Sequence, residues 1–278
     1  MYKRLFVLQK GEHMKKSWFM VLGFLIVLAG AVGLLRSGKF PVGIVQRGNA
    51  DTDAVGQRGK LIVGTDATYP PMESVDANGA VIGFDADIIA EVAKEIGVPL
   101  ELKNVEWDDL FATLKRGDID MAISSITITP ERSKEMSFSN PYMNAGLTAV
   151  FRKADTGIET VSDLKGKFIG VQIDTISQGE ALKVTDDAKV KRYKDYDPAV
   201  ADLKAGRIEA IFIDFPPGAY IVQKDPSLTM FPEPFTSEFY GIAVAKGKEG
   251  LLVPINKVIA SMKQSGQYDA IKKKWLTR

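Results

Sequence analysis

The sequence predicts an α/β protein of two units, each built on a mostly parallel sheet that is flanked by helices. Short apolar runs that suit buried strands alternate with segments of helical period, which is the pattern of βαβ units. The alternation ends near Tyr142 and then starts again, which divides the chain near residues 143–147. In both units an apolar strand leads to an acidic residue, Asp66 in the first and Asp214 in the second.

The first unit starts at Lys60 and follows a strand–helix–strand–helix–strand order. In its first helix, Ile88, Ile89 and Val92 share one face, and Gly97 marks the end. The predicted elements are strands at 61–65, 81–83, 98–106 and 121–123, and helices at 84–97 and 107–116.

The second unit repeats this order, and a proline-rich crossover at 231–235 then leads to the C-terminal elements. The predicted strands lie at 147–153, 167–173, 188–194, 210–214, 228–231 and 241–246. A helical turn is predicted at 162–166, and helices are predicted around 180–182 and 198–203 and at 215–224, 251–264 and 268–276.

The composition excludes several classes of protein. Of 278 residues, 45% are hydrophobic and 26% are charged, and the net charge of +1 gives no general field for nucleic acid or anionic lipid. The chain has no cysteine, and its single histidine, His13, precedes an apolar N-terminal segment. A domain without either residue type cannot hold a Ser-His-Asp triad, a cysteine nucleophile or an ordinary zinc site. We therefore predict no metal, no cofactor and no nucleic-acid partner.

The N-terminal region has the pattern of an export signal. Basic residues precede an apolar run from Trp18 to Leu35 that contains no charge. Residues 1–35 are predicted to be a cleaved signal peptide or, because the run is just long enough to span a bilayer, a membrane anchor. Met14 is an alternative start to Met1. Residues 36–59 lack sustained periodicity and are predicted to be a linker.

The stretch at residues 121–142 predicts a binding site for an anion. An apolar strand is followed by hydroxyl side chains, among them Ser124, Ser125 and Thr127, and then by a proline at a helix start. Arg132 lies in the first turn of that helix, where a positive charge opposes the helix dipole. Hydroxyl groups, free backbone N–H groups and a guanidinium suit a carboxylate, whereas the alternative is an ordinary solvated arginine.

Three segments of the first unit are expected to meet at one edge of its sheet. Asp66, Trp107 and the Ser124 loop all follow predicted strands. Parallel sheets bind their ligands at the carboxyl ends of the strands. This convergence favours the anion-site interpretation over the solvated arginine.

Five segments together resemble the extracellular solute-binding proteins of family 3, the polar-amino-acid receptors of bacterial ABC importers. They are GTDATYPPME, GFDADIIAEVAKEIG, AISSITITPERSKEMSFSNPY, LKGKFIGVQ and GRIEAIFID, in family order between about Lys60 and the end of the chain. The resemblance implies the type II periplasmic-binding-protein fold, in which two α/β lobes joined by two hinge strands close on a ligand. It also implies a first lobe of residues 60–145 plus 236–278 and a second lobe of residues 146–235.

The resemblance further implies which residues bind an amino acid. Arg132 would pair with the α-carboxylate, and Asp214 would accept the α-ammonium. Hydroxyl and backbone groups would complete the site for the amino-acid head, and they belong to Ser124, Ser125, Thr127, Thr175 and Ile176. Loop caps are the alternative for the two serines, and a helix cap is the alternative for Asp214.

The implied side-chain pocket consists of Asp66, Tyr69 and Trp107. The aromatic rings would enclose a flat or cationic group, and Asp66 would bind its end, which suits arginine, lysine, ornithine or glutamine. Core packing is the alternative for Trp107, and Glu73 is expected to brace the loop. The chain departs from the family pattern at Met72, Asp174 and Ile176. An Asp174 that points inward would favour a cationic ligand.

From this resemblance we expect a periplasmic or otherwise extracytoplasmic binding protein without catalytic activity. It would deliver a polar, basic L-amino acid or glutamine to an ABC-transporter permease in the inner membrane, and it would be a monomer. Two alternatives stay open. One is an enzyme on the same fold, of the cyclohexadienyl or arogenate dehydratase type, and the other is a ligand-sensing subunit for a membrane kinase.

Overall fold

The computed structural model describes residues 49–277, which belong to one compact unit. The predicted signal peptide or anchor at residues 1–35 and most of the predicted linker lie outside the described residues. In the part of the chain that is described, no helix combines the length and the apolar character needed to cross a membrane.

Helices and strands alternate along most of the described chain. The helices are α1 (Ala50–Arg58), α2 (Phe84–Ile96), α3 (Trp107–Arg116), α4 (Arg132–Glu135), α5 (Ile176–Val184), α6 (Tyr196–Lys204), α7 (Phe215–Lys224), α8 (Leu252–Ser265) and α9 (Gln267–Leu276). The strands are β1 (Leu61–Thr65), β2 (Thr68–Tyr69), β3 (Glu73–Val75), β4 (Val81–Ile82), β5 (Leu100–Asn104), β6 (Met121–Ala122), β7 (Met136–Phe138), β8 (Met143–Ala145), β9 (Leu147–Arg152), β10 (Ile169–Gln172), β11 (Val190–Tyr193), β12 (Ala210–Asp214), β13 (Leu228–Met230), β14 (Glu238–Tyr240) and β15 (Ala243–Ala245).

Two five-stranded sheets form the two lobes of the α/β fold. The first sheet has the order β5-β1-β6-β15-β7 and the second has the order β11-β10-β12-β9-β13. In the first sheet only β15 runs against the other strands, and in the second only β9 does so. The prediction of mostly parallel sheets in an α/β fold is therefore confirmed.

Both sheets are covered by apolar side chains on both faces, as mostly parallel sheets require. Successive residues of a strand point to opposite faces, so Leu61 and Val63 pack into one core while Ile62 packs into another. In the second sheet, Phe212 and Ile211 are divided between two cores in the same way. The sheets are thus held from both sides, and polar residues are free to gather where the strands end.

The local signals for helix α3 are typical of the helices that support the site. Leu110 and Leu114 are buried, acidic residues occupy the first turn, and basic residues occupy the last turn, which suits the helix dipole. Gly117 closes the helix with a φ of 79°, a left-handed conformation that glycine adopts without strain. The observed bounds agree with the predicted helix at 107–116.

The C-terminal part of the chain returns to the first sheet. Strand β15 pairs with β6 and β7, and helices α8 and α9 pack against α2. Strands β8 and β14 form a separate two-stranded sheet on this path. Residues 49–277 belong to a single compact unit, so the exact lobe boundaries at 145/146 and 235/236 stay a prediction.

Residues 50–58 form helix α1, so the linker prediction is wrong for this part of residues 36–59. The Asn49 side chain caps the helix by accepting hydrogen bonds from the N–H groups of Asp51 and Thr52 at 3.2 and 3.1 Å. The same side chain donates to the Gly250 carbonyl at 2.6 Å, and the Gly250 N–H donates to Asp51 at 3.0 Å. The helix buries only Val55. The helix is held by its N-terminal cap and by its hydrogen bonds to Gly250 and not by an apolar face. The sequence therefore shows no apolar periodicity that would have predicted it.

Candidate functional site

A cavity lies where strands of both sheets end at their carboxyl edges. It encloses about 410 Å³ of empty space, including the solvent at its mouth, and sixteen residues line it. All ten ligand-binding residues that the sequence predicted are among them: Asp66, Tyr69, Trp107, Ser124, Ser125, Thr127, Arg132, Thr175, Ile176 and Asp214. The fold thus brings these residues together, while their role in binding stays a prediction.

The loop after β6, residues 123–127, forms one wall of the cavity. The Asp66 N–H donates to Ser124 Oγ at 3.0 Å, and Ser124 Oγ donates to Glu73 Oε1 at 3.0 Å. The Ser125 N–H donates to Asp85 Oδ2 at 2.8 Å. Glu73 therefore braces the loop, as the sequence suggested. Ser125 has a φ of 49°, a strained value for a residue with a side chain, so the loop depends on these bonds.

Arg132 brings a buried guanidinium to the cavity. The Thr129 hydroxyl accepts from the Arg132 N–H at 3.1 Å, and helix α4, which begins at Arg132, is only one turn long. The guanidinium carbon lies 5.2 Å from the centre of the Trp107 ring and 5.3 Å from that of Phe111. One N–H donates to the Thr127 carbonyl at 3.0 Å. Of the five donors of the guanidinium, this is the one with a partner within residues 49–277.

Asp214 places a carboxyl group opposite, at the end of β12. Burial, and secondarily the charge of Glu238, raise the pKa of Asp214 to about 7. The Tyr69 hydroxyl donates to Asp214 Oδ2 at 2.6 Å and accepts from the Asp214 N–H at 3.2 Å. Burial and Asp214 raise the pKa of Tyr69 well above its usual value, so the phenol keeps its proton. The alternative role of Asp214 as a helix cap is not observed, because its side chain makes no capping bond to α7.

Asp66 lies in the same cavity, after β1. It is 5% exposed, and burial raises its pKa. Its carboxylate accepts from Gln172 Nε2 at 3.0 Å and from the Thr68 hydroxyl at 2.8 Å. The Trp107 indole N–H donates to the Asp174 carbonyl at 3.3 Å. Contacts from Gln172 and Trp107 thus join the two lobes across the cleft.

The rings of Tyr69 and Trp107, which were expected to enclose a ligand group, contact other side chains of the protein. Trp107 contacts Arg132 and Phe111, and the Tyr69 ring lies 5.5 Å from the Tyr196 ring. A ligand group held between Tyr69 and Trp107 therefore stays a prediction.

Two departures from the family pattern lie away from the cavity. The Asp174 side chain is exposed and does not line the cavity, so it gives no inward charge. Met72 is fully buried in the core of the first lobe and does not form the cavity wall.

Several residues that line the cavity had not been identified from the sequence. They are Leu147, Gln172, Tyr196 and Glu238. Gln172 is the last residue of β10, so the strand-end rule that identified Asp66 and Asp214 applies to it as well. Glu238 accepts from the hydroxyls of Thr127 at 2.7 Å and Thr236 at 3.0 Å. Its strand β14 has three residues, too short for a periodic signal.

The charges of the cavity favour a ligand that carries more positive than negative charge. Besides Glu73, whose pKa burial raises well above its usual value, the lining residues Asp66, Asp214 and Glu238 are acidic and one, Arg132, is basic. Arg132 offers a guanidinium to a carboxylate, while Asp214 offers an acceptor to an ammonium. Within the described chain no cluster of His, Cys, Asp and Glu has the arrangement of a metal site.

Known proteins with similar sequences and structures bind amino acids. The family model of the bacterial extracellular solute-binding proteins, family 3, matches residues 61–278. The L-cystine-binding protein TcyJ of Escherichia coli K12 is 36% identical over 80% of this chain and 84% of its own. The holo form of ArgBP from T. maritima has a TM-score of 0.73 at 40% identity, over 80% of this chain and 98% of that one.

A further solved structure is an ancestral amino-acid-binding protein, AncCDT-1, described as a precursor of cyclohexadienyl dehydratase. It has a TM-score of 0.75 at 35% identity and covers 81% of this chain and 98% of its own. The family match extends over most of the chain and agrees with the two-lobed α/β fold and its interlobe cavity. The chain therefore belongs to the bacterial extracellular solute-binding proteins, family 3.

Proposed function

We propose that this protein captures a polar, basic L-amino acid, namely arginine, lysine or ornithine, or else glutamine, in the cleft between its lobes. It then delivers the amino acid to an ABC importer. The observation that carries the proposal is the pairing of Arg132 and Asp214 in one cavity with a surplus of acidic groups. A zwitterion needs a cation and a carboxylate that face one space, and a basic side chain needs a further acid.

The amino-acid head would bind between the two lobes. Arg132 has free donors for the α-carboxylate, and the N-terminus of α5, which begins after Thr175, adds backbone N–H groups and the positive end of a helix dipole. The α-ammonium would bind Asp214 and take the place of the Tyr69 hydroxyl. Ionisation of Asp214 follows from this, because a nearby ammonium lowers the pKa of a carboxyl group.

The ligand side chain would extend towards Asp66. A guanidinium or ammonium there can replace Gln172 as the donor to the carboxylate, since the cationic donor makes the stronger hydrogen bond. The relatives named above bind cystine and arginine, so both belong in a ligand screen. The acidic surplus of the cavity favours arginine, because cystine carries two carboxylates.

Binding would couple to lobe closure, because a ligand that contacts both lobes has a higher affinity for the closed state. We propose that the closed protein, a monomer outside the cytoplasm, is the form that meets an ABC-transporter permease in the inner membrane. An export signal at residues 1–35 would bring it to that compartment.

Thermal stabilisation of the purified full-length chain by amino acids tests this function. The ligands are the twenty L-amino acids, ornithine and cystine. A ligand present at a hundredfold its dissociation constant stabilises the native state by about 2.7 kcal/mol. A selective shift with arginine, lysine, ornithine or glutamine is the expected result. A shift with cystine alone would reject the basic-ligand proposal, and no shift after unfolding and refolding would reject amino-acid binding.

A dehydratase-type enzyme is the second candidate, and one feature of the cavity favours it. Asp214, with a pKa of about 7, can carry a proton near neutral pH, as a general acid must. AncCDT-1 also belongs to a lineage that led to such an enzyme. Incubation with prephenate and arogenate decides between the candidates, since turnover would establish catalysis and its absence alongside tight amino-acid binding would reject it.

A further inference from the structure

Two carboxyl groups are buried against the Ser124-Ser125 loop. Glu73, on β3, and Asp85, in the first turn of α2, both have no exposed surface. Glu73 Oε1 accepts the hydrogen bond of the Ser124 hydroxyl at 3.0 Å. Asp85 Oδ2 accepts from the Ser125 N–H and from the Tyr142 hydroxyl, both at 2.8 Å. Each acid thus holds one of the two serines at the cavity.

The other oxygen of each group lacks a donor from the described chain. Glu73 Oε2 and Asp85 Oδ1 are buried and accept no hydrogen bond from residues 49–277. None of the ion pairs between described residues includes either group. The Asp85 N–H donates to the carbonyl of Met72 at 2.9 Å, which places Asp85 beside Glu73. Two neighbouring, buried carboxylates without a cation are strongly unfavourable, and a proton shared between them removes this cost.

The neighbours decide which of the two acids carries the proton. Asp85 already accepts two hydrogen bonds through Oδ2, and such bonds favour the charged form. Glu73 accepts one and faces the charges of Asp85 and Asp66. The phenols of Tyr142 and Tyr268 also face the pair, and Asp85 contributes to raising the pKa of both.

We infer that Glu73 is a neutral acid that donates its O–H to Asp85, and that this shared proton positions Ser124 and Ser125 for the amino acid. Burial and Asp85 raise the pKa of Glu73 well above its usual value, and burial raises that of Asp85 to about 6. Glu73 and Asp85 are therefore positioning residues for the binding site, an inference that rests on the proposed function. Loss of the proton would leave two negative charges that repel each other, on Glu73 and Asp85. This repulsion would weaken the hydrogen bonds that hold the loop and its strained Ser125.

The pH dependence of stability measures the proton without any ligand. At pH values between the ordinary pKa of a glutamate and the raised pKa of Glu73, the native state keeps a proton that the unfolded chain releases. The free energy of unfolding therefore falls as pH rises through this range. The amide introduced by Glu73→Gln keeps a donor for Asp85 and an acceptor for Ser124 but cannot ionise. Relative to this variant, the unfolding constant of the wild-type full-length chain should rise up to tenfold per pH unit from pH 5.5 to 7.5.

A matched control is Glu101→Gln, which changes a surface glutamate whose pKa is lowered by its bond to Lys60. Its stability curve should run parallel to that of the wild type over this pH range. A curve of Glu73→Gln that also runs parallel to the wild type would overturn the shared proton. Infrared spectra give the second readout, since the C=O band of a protonated carboxyl group at pH 7 should weaken in Glu73→Gln and stay in Glu101→Gln.

Binding of L-arginine tests whether the pair positions the site. At pH 7, Glu73→Gln should retain the wild-type dissociation constant within about threefold, whereas Glu73→Ala should raise it at least tenfold. Equal affinities of Glu73→Ala and wild type would overturn the positioning role. Failure of the wild type to bind any amino acid would instead reject the proposed function, while the stability curves would still decide the shared proton.

Discussion

Replacement of Asp214 by asparagine should weaken ligand binding and at the same time stabilise the empty protein. Asparagine keeps the shape of the side chain and an acceptor for Tyr69, but it cannot pair its charge with an ammonium. Removal of one partner from a buried, hydrogen-bonded charge pair costs about 2–5 kcal/mol. We therefore expect the dissociation constant for L-arginine to rise about 100-fold, as measured by titration calorimetry at pH 7.5.

The gain in stability follows from the pKa of Asp214, which the fold raises from 3.8 to about 7. The native state holds the proton in this range while the unfolded chain releases it, so the wild type loses stability as pH rises. About three pKa units correspond to ~4 kcal/mol. Asp214 lines a cavity that is open to water, so we expect about half of this energy. The free energy of unfolding of Asp214→Asn, relative to that of the wild type, should therefore be ~2 kcal/mol higher at pH 8 than at pH 4.

Urea unfolding of the ligand-free chain at both pH values measures this difference. Asp269→Asn, which changes an exposed residue of α9, is the matched control and should give the same small effect at both. A difference between Asp214→Asn and wild type that is independent of pH would refute the assignment of a raised pKa. Wild-type affinity for arginine would refute the role of Asp214 in binding.

Three further substitutions test the site and helix α1. Arg132→Lys should weaken arginine binding at least tenfold in calorimetry, because lysine offers neither a planar fork nor the same stacking on Trp107; unchanged affinity would contradict a bidentate contact. Asp66→Asn should weaken arginine far more than glutamine in the same assay, and an equal loss for both would reject an ionic contact. Gly250→Ala should lower the melting temperature by several degrees, because a Cβ at this position would overlap the side chains of Asn49 and Asp51. An unchanged melting temperature would show that the contact of α1 with Gly250 adds no stability.

The sequence predicted best those elements that depend on local rules. Helix α3 and strand β12 have the predicted bounds, because their apolar periodicity and end residues are strong and short-range. The cavity wall at Asp66 and Asp214 could be anticipated because both acids follow apolar strands. The family resemblance added the roles of the residues, which periodicity does not give.

Elements held by long-range contacts could not be predicted in this way. Strand β7 was not anticipated, because it exists through pairing with β15, which lies more than a hundred residues later. Helix α1 depends on its bonds to Gly250, and Glu238 reaches the cavity from a strand of three residues. The shared proton of Glu73 and Asp85 has no sequence signal at all, since it arises from burial and from contact across the fold.

The position of β15 imposes an order on folding. It lies between β6 and β7 in the first sheet, so β7 cannot join this sheet until residues 243–245 are present. The second sheet consists only of strands from residues 147–230 and can assemble earlier. Closure of such long loops is slow, so the first lobe should be completed last. In a chain threaded from its N-terminus through a membrane pore, the first lobe would thus stay incomplete until the final residues had emerged.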